Sequence, residues 1–278
     1  MKTYGEVIGT IRKNKLLLQK EVANNNIARS NLSKIENSTI IPSITTLKGI
    51  SDSLDITLDE LDFIKNNYTL LPKQKLLSDF FNIVSNIDNQ KIVQLIIKCK
   101  KYLDEHHDLI IKDILCILQA AEMLCNNEIT SAQDIIRPVW QRLEKINKFT
   151  LIEIKITCNI LYLFPNHFIT RFTPKLLQMI DSYIPFDKGL LSLKTSLLIN
   201  TSTLLFQTNP GQAKNFLNES IQLAQEINRY DLLGIAYYIK GTLFKDSLLI
   251  KKSENIFSSI DRNDLLKVLK SEITNNIF

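Results

Sequence analysis

The sequence predicts an all-α chain in two parts. Apolar residues recur at three- and four-residue spacings nearly to the C-terminus, no segment sustains the period-two alternation of a half-buried strand, and only seven glycines and seven prolines punctuate 278 residues. Length supplies the division. The first 65 residues hold a complete small pattern, and the stretch of about 210 that follows is long enough to bury a second core.

In the first part, Ile8, Ile11, Val22, Ala23, Leu32, Ile35, Leu47, Ile50 and Leu54 turn the apolar stripes of four short helices inward. Asn24-Asn25-Asn26-Ile27 reads as the tight turn between the second and third, because asparagine tolerates left-handed backbone and bonds its own chain. The third helix, about Ala28 to Glu36, then directs Arg29, Ser30, Asn31, Ser33 and Lys34 away from Leu32 and Ile35. That set suits a DNA groove, with Ser30 and Asn31 at base edges, Arg29 on a guanine edge and Lys34 on a phosphate. Gln19, at the start of the second helix, is expected over the sugar-phosphate backbone. Arg12 and Glu36 are the two charges inside an otherwise apolar frame. They read as a structural ion pair, since an acid beside the recognition helix would repel phosphate.

Charge follows the same plan. Residues 1–48 carry eight Lys and Arg against Glu6, Glu21 and Glu36, and the acidic run Asp52, Asp55, Asp59, Glu60 and Asp62 comes after them. One face is thereby prepared for phosphates.

A connecting helix, about Leu58 to Tyr68, leads to Leu71-Pro72, where proline breaks the run, so residues 66–73 read as a linker. Helices are expected near 73–86, 88–104, 108–126, 129–146, 149–163, 166–183, 187–208, 210–228, 230–245, 247–258 and 261–276. Short breaks favour antiparallel pairs, and pairs spaced by close to 40 residues suggest a stacked helical solenoid over 74–278. A solenoid offers a concave groove for an extended peptide. Polar groups on the first helix of each pair are its candidate lining: Asn159 and Tyr162, Asn200 and Thr203, Tyr237 and Lys240. Core packing for the two tyrosines, and solvation for Lys240, are the plainer alternatives. Arg137 and Trp140 beside Pro138 read as packing or as the groove's rim.

Chemistry of other kinds finds little support. Cys99, Cys116, Cys125 and Cys158 lack CxxC spacing and read as reduced core thiols, so neither a zinc site nor a disulfide framework is indicated. His106, His107 and His167 form no metal spacing, and no phosphate loop or nucleophile elbow occurs, so neither catalysis nor a cofactor is expected. With no signal run and no membrane-length apolar stretch, a cytoplasmic protein is expected.

Over roughly residues 4–62 the pattern resembles the Cro/repressor-type (XRE) helix-turn-helix family. One departure is Leu18, where that family usually has a Ser or Thr cap; its loss costs about 1 kcal/mol. Farther on, Tyr237-x3-Gly241-x2-Phe244, preceded by Ala213-x2-Phe216-x3-Ser220-x3-Ala224, resembles tetratricopeptide-type units. Leu61–Tyr68, and Ile146–Pro165 with Phe149 in place of a usual Trp and then Thr150, Glu153 and Asn159, resemble the Rgg/GadR/MutR regulators. That resemblance implies a homodimer that reads an inverted-repeat operator and answers a short signalling peptide, as in quorum sensing. Two other expectations stay open: a peptide-independent dimeric regulator of bacteriocin or stress genes, and a helical-repeat adaptor for protein partners.

Overall fold

Thr3 starts the first helix, α1 (Tyr4–Asn14), through a reciprocal cap. Its hydroxyl accepts from the Glu6 N–H at 3.1 Å, and a Glu6 carboxylate oxygen accepts from the Thr3 N–H at 2.7 Å. The computed structural model describes residues 2–23, 27–83, 89–126, 128–164 and 166–276, and among them every regular element is helical. The Asn24-Asn25-Asn26 turn lies outside the described residues. Internal contacts divide the chain into one unit up to Ile111 and another from Lys112 onward.

In the first unit, α2 (Gln19–Val22), α3 (Arg29–Glu36), α4 (Ile44–Ser53) and α5 (Leu58–Lys65) follow α1. Ser43 and Thr57 accept from the third N–H of α4 and α5, so both begin on the side-chain cap their sequence provides. The five helices close over Val7, Ile8, Val22, Leu32, Ile35, Ile50, Leu54 and Leu61, with Ile11 and Ala23 half-buried at the margin. Each fully buried Leu or Ile contributes about 1.5–3 kcal/mol. Gly5 sets the approach of α1 to α3: a Cβ there would lie 1.8 Å from the Ile35 carbonyl oxygen, so only glycine fits. The unit continues through α6 (Pro72–Phe81) and α7 (Asn89–Glu105) into the start of α8 (Leu109–Cys125).

The second unit holds the rest of α8, then α9 (Ile129–Lys145), α10 (Leu151–Ile160) with a 3-10 turn at Leu161–Leu163, α11 (Asn166–Tyr183), α12 (Leu190–Leu205), α13 (Pro210–Glu226), α14 (Tyr230–Leu243), α15 (Ser247–Ser259) and α16 (Asn263–Asn276). α10 packs on α11, α12 on α13 and α14 on α15, while α12 also touches α10 and α14. The first helices of these pairs start at Leu151, Leu190 and Tyr230, intervals of 39 and 40 residues that match the period read from the sequence. They are covered nearly all round: Asn159, Asn200 and Tyr230 are the exposed residues within their described side chains. The α14–α15 pair is closely packed. A Cβ on Gly234 would lie 2.9 Å from the Phe257 ring and one on Gly241 2.9 Å from the Asp246 carbonyl oxygen, and the Ser253 hydroxyl donates to the Gly234 carbonyl at 2.7 Å.

Helix ends depart from the usual grammar. Leu16, Ser38, Asp55, Asn67, Asn228, Lys245 and Asp261 take the left-handed conformation just past α1, α3, α4, α5, α13, α14 and α15, positions that most often fall to glycine. Each is followed by an N–H that reaches back to the last turn, such as Leu17 to the Arg12 carbonyl at 3.0 Å and Asp246 to the Gly241 carbonyl at 2.8 Å. For this reason α5 stops at Lys65 rather than Tyr68: Asn67 and Tyr68 both have positive φ and cannot continue it. In the same way α14 ends before Lys245, and the run expected over 149–163 changes to 3-10 geometry after Ile160.

Candidate DNA-binding interface and ligand face

Arg12 organises the N-terminal site. From α1 its Nε and Nη2 donate to the two Glu36 carboxylate oxygens of α3 at 2.6 and 2.9 Å, and its Nη1 donates to the Leu17 carbonyl at 2.7 Å. Both side chains are about nine-tenths buried, at 10 % and 8 % exposure, so the two-pronged contact fixes how α3 lies against α1. Burial pushes the Glu36 carboxyl up, and hydrogen bonds from Arg12 and Gln19 more than reverse this, holding it below the ordinary carboxylate range. At the start of α1, the Tyr4 hydroxyl donates to Asp62 of α5 at 2.5 Å, and its pKa is pushed up to about 12, first by that bond.

Gln19, expected over the DNA backbone, is half-buried at the start of α2. Its amide nitrogen donates to Glu36 Oε2 at 2.9 Å, so the side chain completes the buried carboxylate's partners. The sequence held the signal, since a buried carboxylate has more lone pairs than one arginine fills. Leu18 stands at the N-cap of α2 without a side-chain acceptor, and Glu21 returns a carboxylate oxygen to the Leu18 N–H at 2.6 Å. Half of the cap survives, and α2 begins at Gln19.

Leu32 and Ile35 are buried, and Arg29, Ser30, Asn31 and Lys34 are exposed on the opposite side of α3. Ser33 is half-buried, between the two faces. Ala28 gives α3 no side-chain cap, and the Asn31 N–H bonds the Ala28 carbonyl at 2.9 Å. A polar, cationic face on a rigidly held helix can donate to base edges and phosphates at once.

In the second unit, Asn159 is exposed and donates to the Lys155 carbonyl at 2.7 Å, and Tyr162 is exposed just beyond it. Asn200 is the exposed position of α12, and the half-buried Thr203 donates to its carbonyl at 2.7 Å. Tyr237 and Lys240 belong with other helices: Lys240 Nζ donates to Asn218 Oδ1 of α13 at 2.6 Å, and Lys252 of α15 lies 5.7 Å over the Tyr237 ring. Lys240 thus meets an amide of α13 as well as solvent.

Trp140 packs in an aromatic row. It sits 6.0 Å from Phe168, which stacks on Phe172 at 4.8 Å, and Phe172 meets Phe149 at 5.4 Å. Arg137 is exposed and pairs with Asp134. Sequence reasoning missed a second buried charge group, in which Arg142 of α9 bonds Asp113 of α8 and reaches Glu153 of α10 at 3.5 Å. Burial pushes the Asp113 carboxyl up, and Arg142 offsets only part of that. Cys99, Cys116 and Cys158 are free thiols, and burial pushes Cys99 up to about 11. Among the described residues, no group of three or more His, Cys, Asp or Glu could hold a metal ion, and no helix is long and apolar enough to cross a membrane.

The helix-turn-helix family profile matches residues 8–61. The N-terminal part is a helix-turn-helix domain. Among solved structures, the chain is similar over nearly its whole length to a candidate transcriptional regulator of Listeria monocytogenes EGD-e, at 21% identity and a TM-score of 0.74 with 99% of each chain covered. The pheromone receptor Rgg2 of Streptococcus dysgalactiae matches at 17% identity and a TM-score of 0.66, covering 98% of this chain and 99% of Rgg2. PlcR of Bacillus thuringiensis, solved with the peptide PapR7 and DNA, matches at 17% identity and 0.59, covering 97% and 99%. These likenesses show one fold from end to end, a helix-turn-helix domain followed by helical repeats. Among curated proteins, none matches the chain in sequence.

Proposed function

We propose that this protein is a cytoplasmic, sequence-specific DNA-binding transcriptional regulator controlled by a short signalling peptide. Residues 1–65 read the DNA, 66–73 connect, and 74–278 dimerise the chain and take the peptide. The observation that carries the reading is the outward face of α3: Arg29, Ser30, Asn31 and Lys34 stand exposed on a helix locked by the buried Arg12–Glu36–Gln19 group, inside a helix-turn-helix domain. Paired domains in a homodimer would meet half-sites about 34 Å or a multiple apart, so the operator is an inverted repeat. Asn31 and Ser30 read bases with Arg29, Ser33 supports them from the edge of the face, and Lys34 holds phosphate. Gln19 acts by positioning, through Glu36.

The peptide arm is supported by the shared fold of Rgg2, a pheromone receptor, and of PlcR, captured with its peptide and DNA. Asn159, Tyr162, Asn200 and Thr203 form one group of contacts, Tyr237 and Lys240 another. The peptide acts by favouring one dimer arrangement, which takes only about 1–3 kcal/mol of coupling.

The test is fluorescence anisotropy of the purified protein on the DNA flanking its own gene, with and without a peptide extract of spent culture medium. Specific binding that shifts with the extract is the expected result. Specific binding indifferent to the extract favours a peptide-independent regulator of bacteriocin or stress genes, and no specific binding overturns the reading in favour of an adaptor.

A further inference from the structure

Tyr237, Lys240 and Phe244 lie three and four residues apart on one face of the α14 segment, and ammonium groups from three successive helices gather on that face. Lys214 of α13 lies 5.8 Å over the Phe244 ring, Lys252 of α15 lies 5.7 Å over the Tyr237 ring, and Lys240 bonds the neutral Asn218 amide oxygen at 2.6 Å. Lys214 and Asn218 are one turn apart on α13, opposite Phe244 and Lys240, which brings two of the three cations to the same helix crossing.

Among the described residues, none of the three lysines pairs with a carboxylate, although other lysines of this unit do. Lys155 pairs with Asp187, and Lys194 with Asp181 and Glu219. The acids of α13–α15 are committed elsewhere: Glu219 to Lys194, Glu226 to the Gln222 amide, Asp231 to Arg229, Asp246 to the first N–H groups of α15 and Glu254 to Lys270. Positive charge is therefore left over beside an aromatic floor, where Phe206 of the α12 end meets Phe244 edge-on at 5.4 Å.

We propose that this face seats the C-terminal carboxylate of the peptide, with the peptide's last apolar side chain on the Phe206–Phe244 pair. This rests on the peptide reading above. The complementarity is specific: an anion with an apolar group attached matches cations held over aromatic faces, whereas a phosphate backbone brings no such group.

Immobilised full-length protein is offered a pool of short synthetic peptides of random apolar sequence, made once as free acids and once as C-terminal amides, and the retained species are counted by mass spectrometry. The wild type is expected to enrich the acids about tenfold over their amides. Combining Lys214→Gln, Lys240→Gln and Lys252→Gln brings the ratio to one, with the melting temperature checking the fold, and Lys240→Arg keeps the preference. Equal retention of acids and amides by the wild type overturns the carboxylate seat while the peptide reading stands. Retention of neither overturns both, and a preference that persists in the triple variant overturns the seat.

Discussion

Replacing Glu36 with alanine tests the frame on which the DNA-reading helix rests. The substitution removes the acceptor of three hydrogen bonds, two from Arg12 and one from Gln19, and leaves the Arg12 guanidinium in a site where its side chain is only 10 % exposed. Stranding one partner of a buried pair costs about 3–5 kcal/mol. A domain of this size has only about 3–9 kcal/mol of stability, so most of it goes. At tenfold per about 1.4 kcal/mol, even the lower figure raises the opening equilibrium by more than about a hundredfold.

Amide hydrogen exchange on the full-length protein reads this directly. Peptides covering α1 and α3 are expected to lose protection by at least that factor, while α12–α15 exchange as before. The double variant Arg12→Met with Glu36→Met, which leaves no charge stranded, is expected to regain most of the protection. Exchange in α1 and α3 within about threefold of wild type for Glu36→Ala would refute the reasoning, because the pair would then be no better than a solvated surface contact.

Gly5→Ala drives a methyl into the Ile35 carbonyl and is expected to cost about 3 kcal/mol, whereas Gly9→Ala, whose new Cβ meets Glu36 atoms at an ordinary 3.6 Å, is expected to gain up to about 1 kcal/mol from helix propensity; thermal melts separate them. Because the Glu36 carboxyl is held below its ordinary 4.5, its contribution is full above that pH and is lost as pH falls through the depressed value; acid titration of α1–α3 exchange should show this loss in the wild type and not in Glu36→Gln. Asn31→Ala with Arg29→Ala is expected to cost about 1–3 kcal/mol per base contact in anisotropy on the operator while circular dichroism stays unchanged. Leu16→Gly relieves an exposed leucine at φ 58° and is expected to raise stability by up to about 1 kcal/mol, measured by denaturant midpoint.

The sequence by itself determined the helical class, the helix-turn-helix pattern, the Arg12–Glu36 pairing and the period near 40 residues, because each is written in local spacing or in a charge with nowhere else to go. The helix ends were less legible. Glycine normally marks them, and here Leu16, Asn67 and Lys245 take the left-handed turn, so nothing in composition announced that α5 stops at Lys65. Tertiary structure alone decided where polar side chains of middle length point. Gln19 reaches Glu36 because an oxygen already bonded by Arg12 has a second lone pair to fill, and Lys240 met Asn218, 22 residues away on another helix. The same holds for Arg142, which bridges Asp113 and Glu153 from three different helices. Helical periodicity tells which stripe is apolar, but the partner of a long polar side chain depends on the packing of helices distant in sequence, and that packing is settled by the whole core at once.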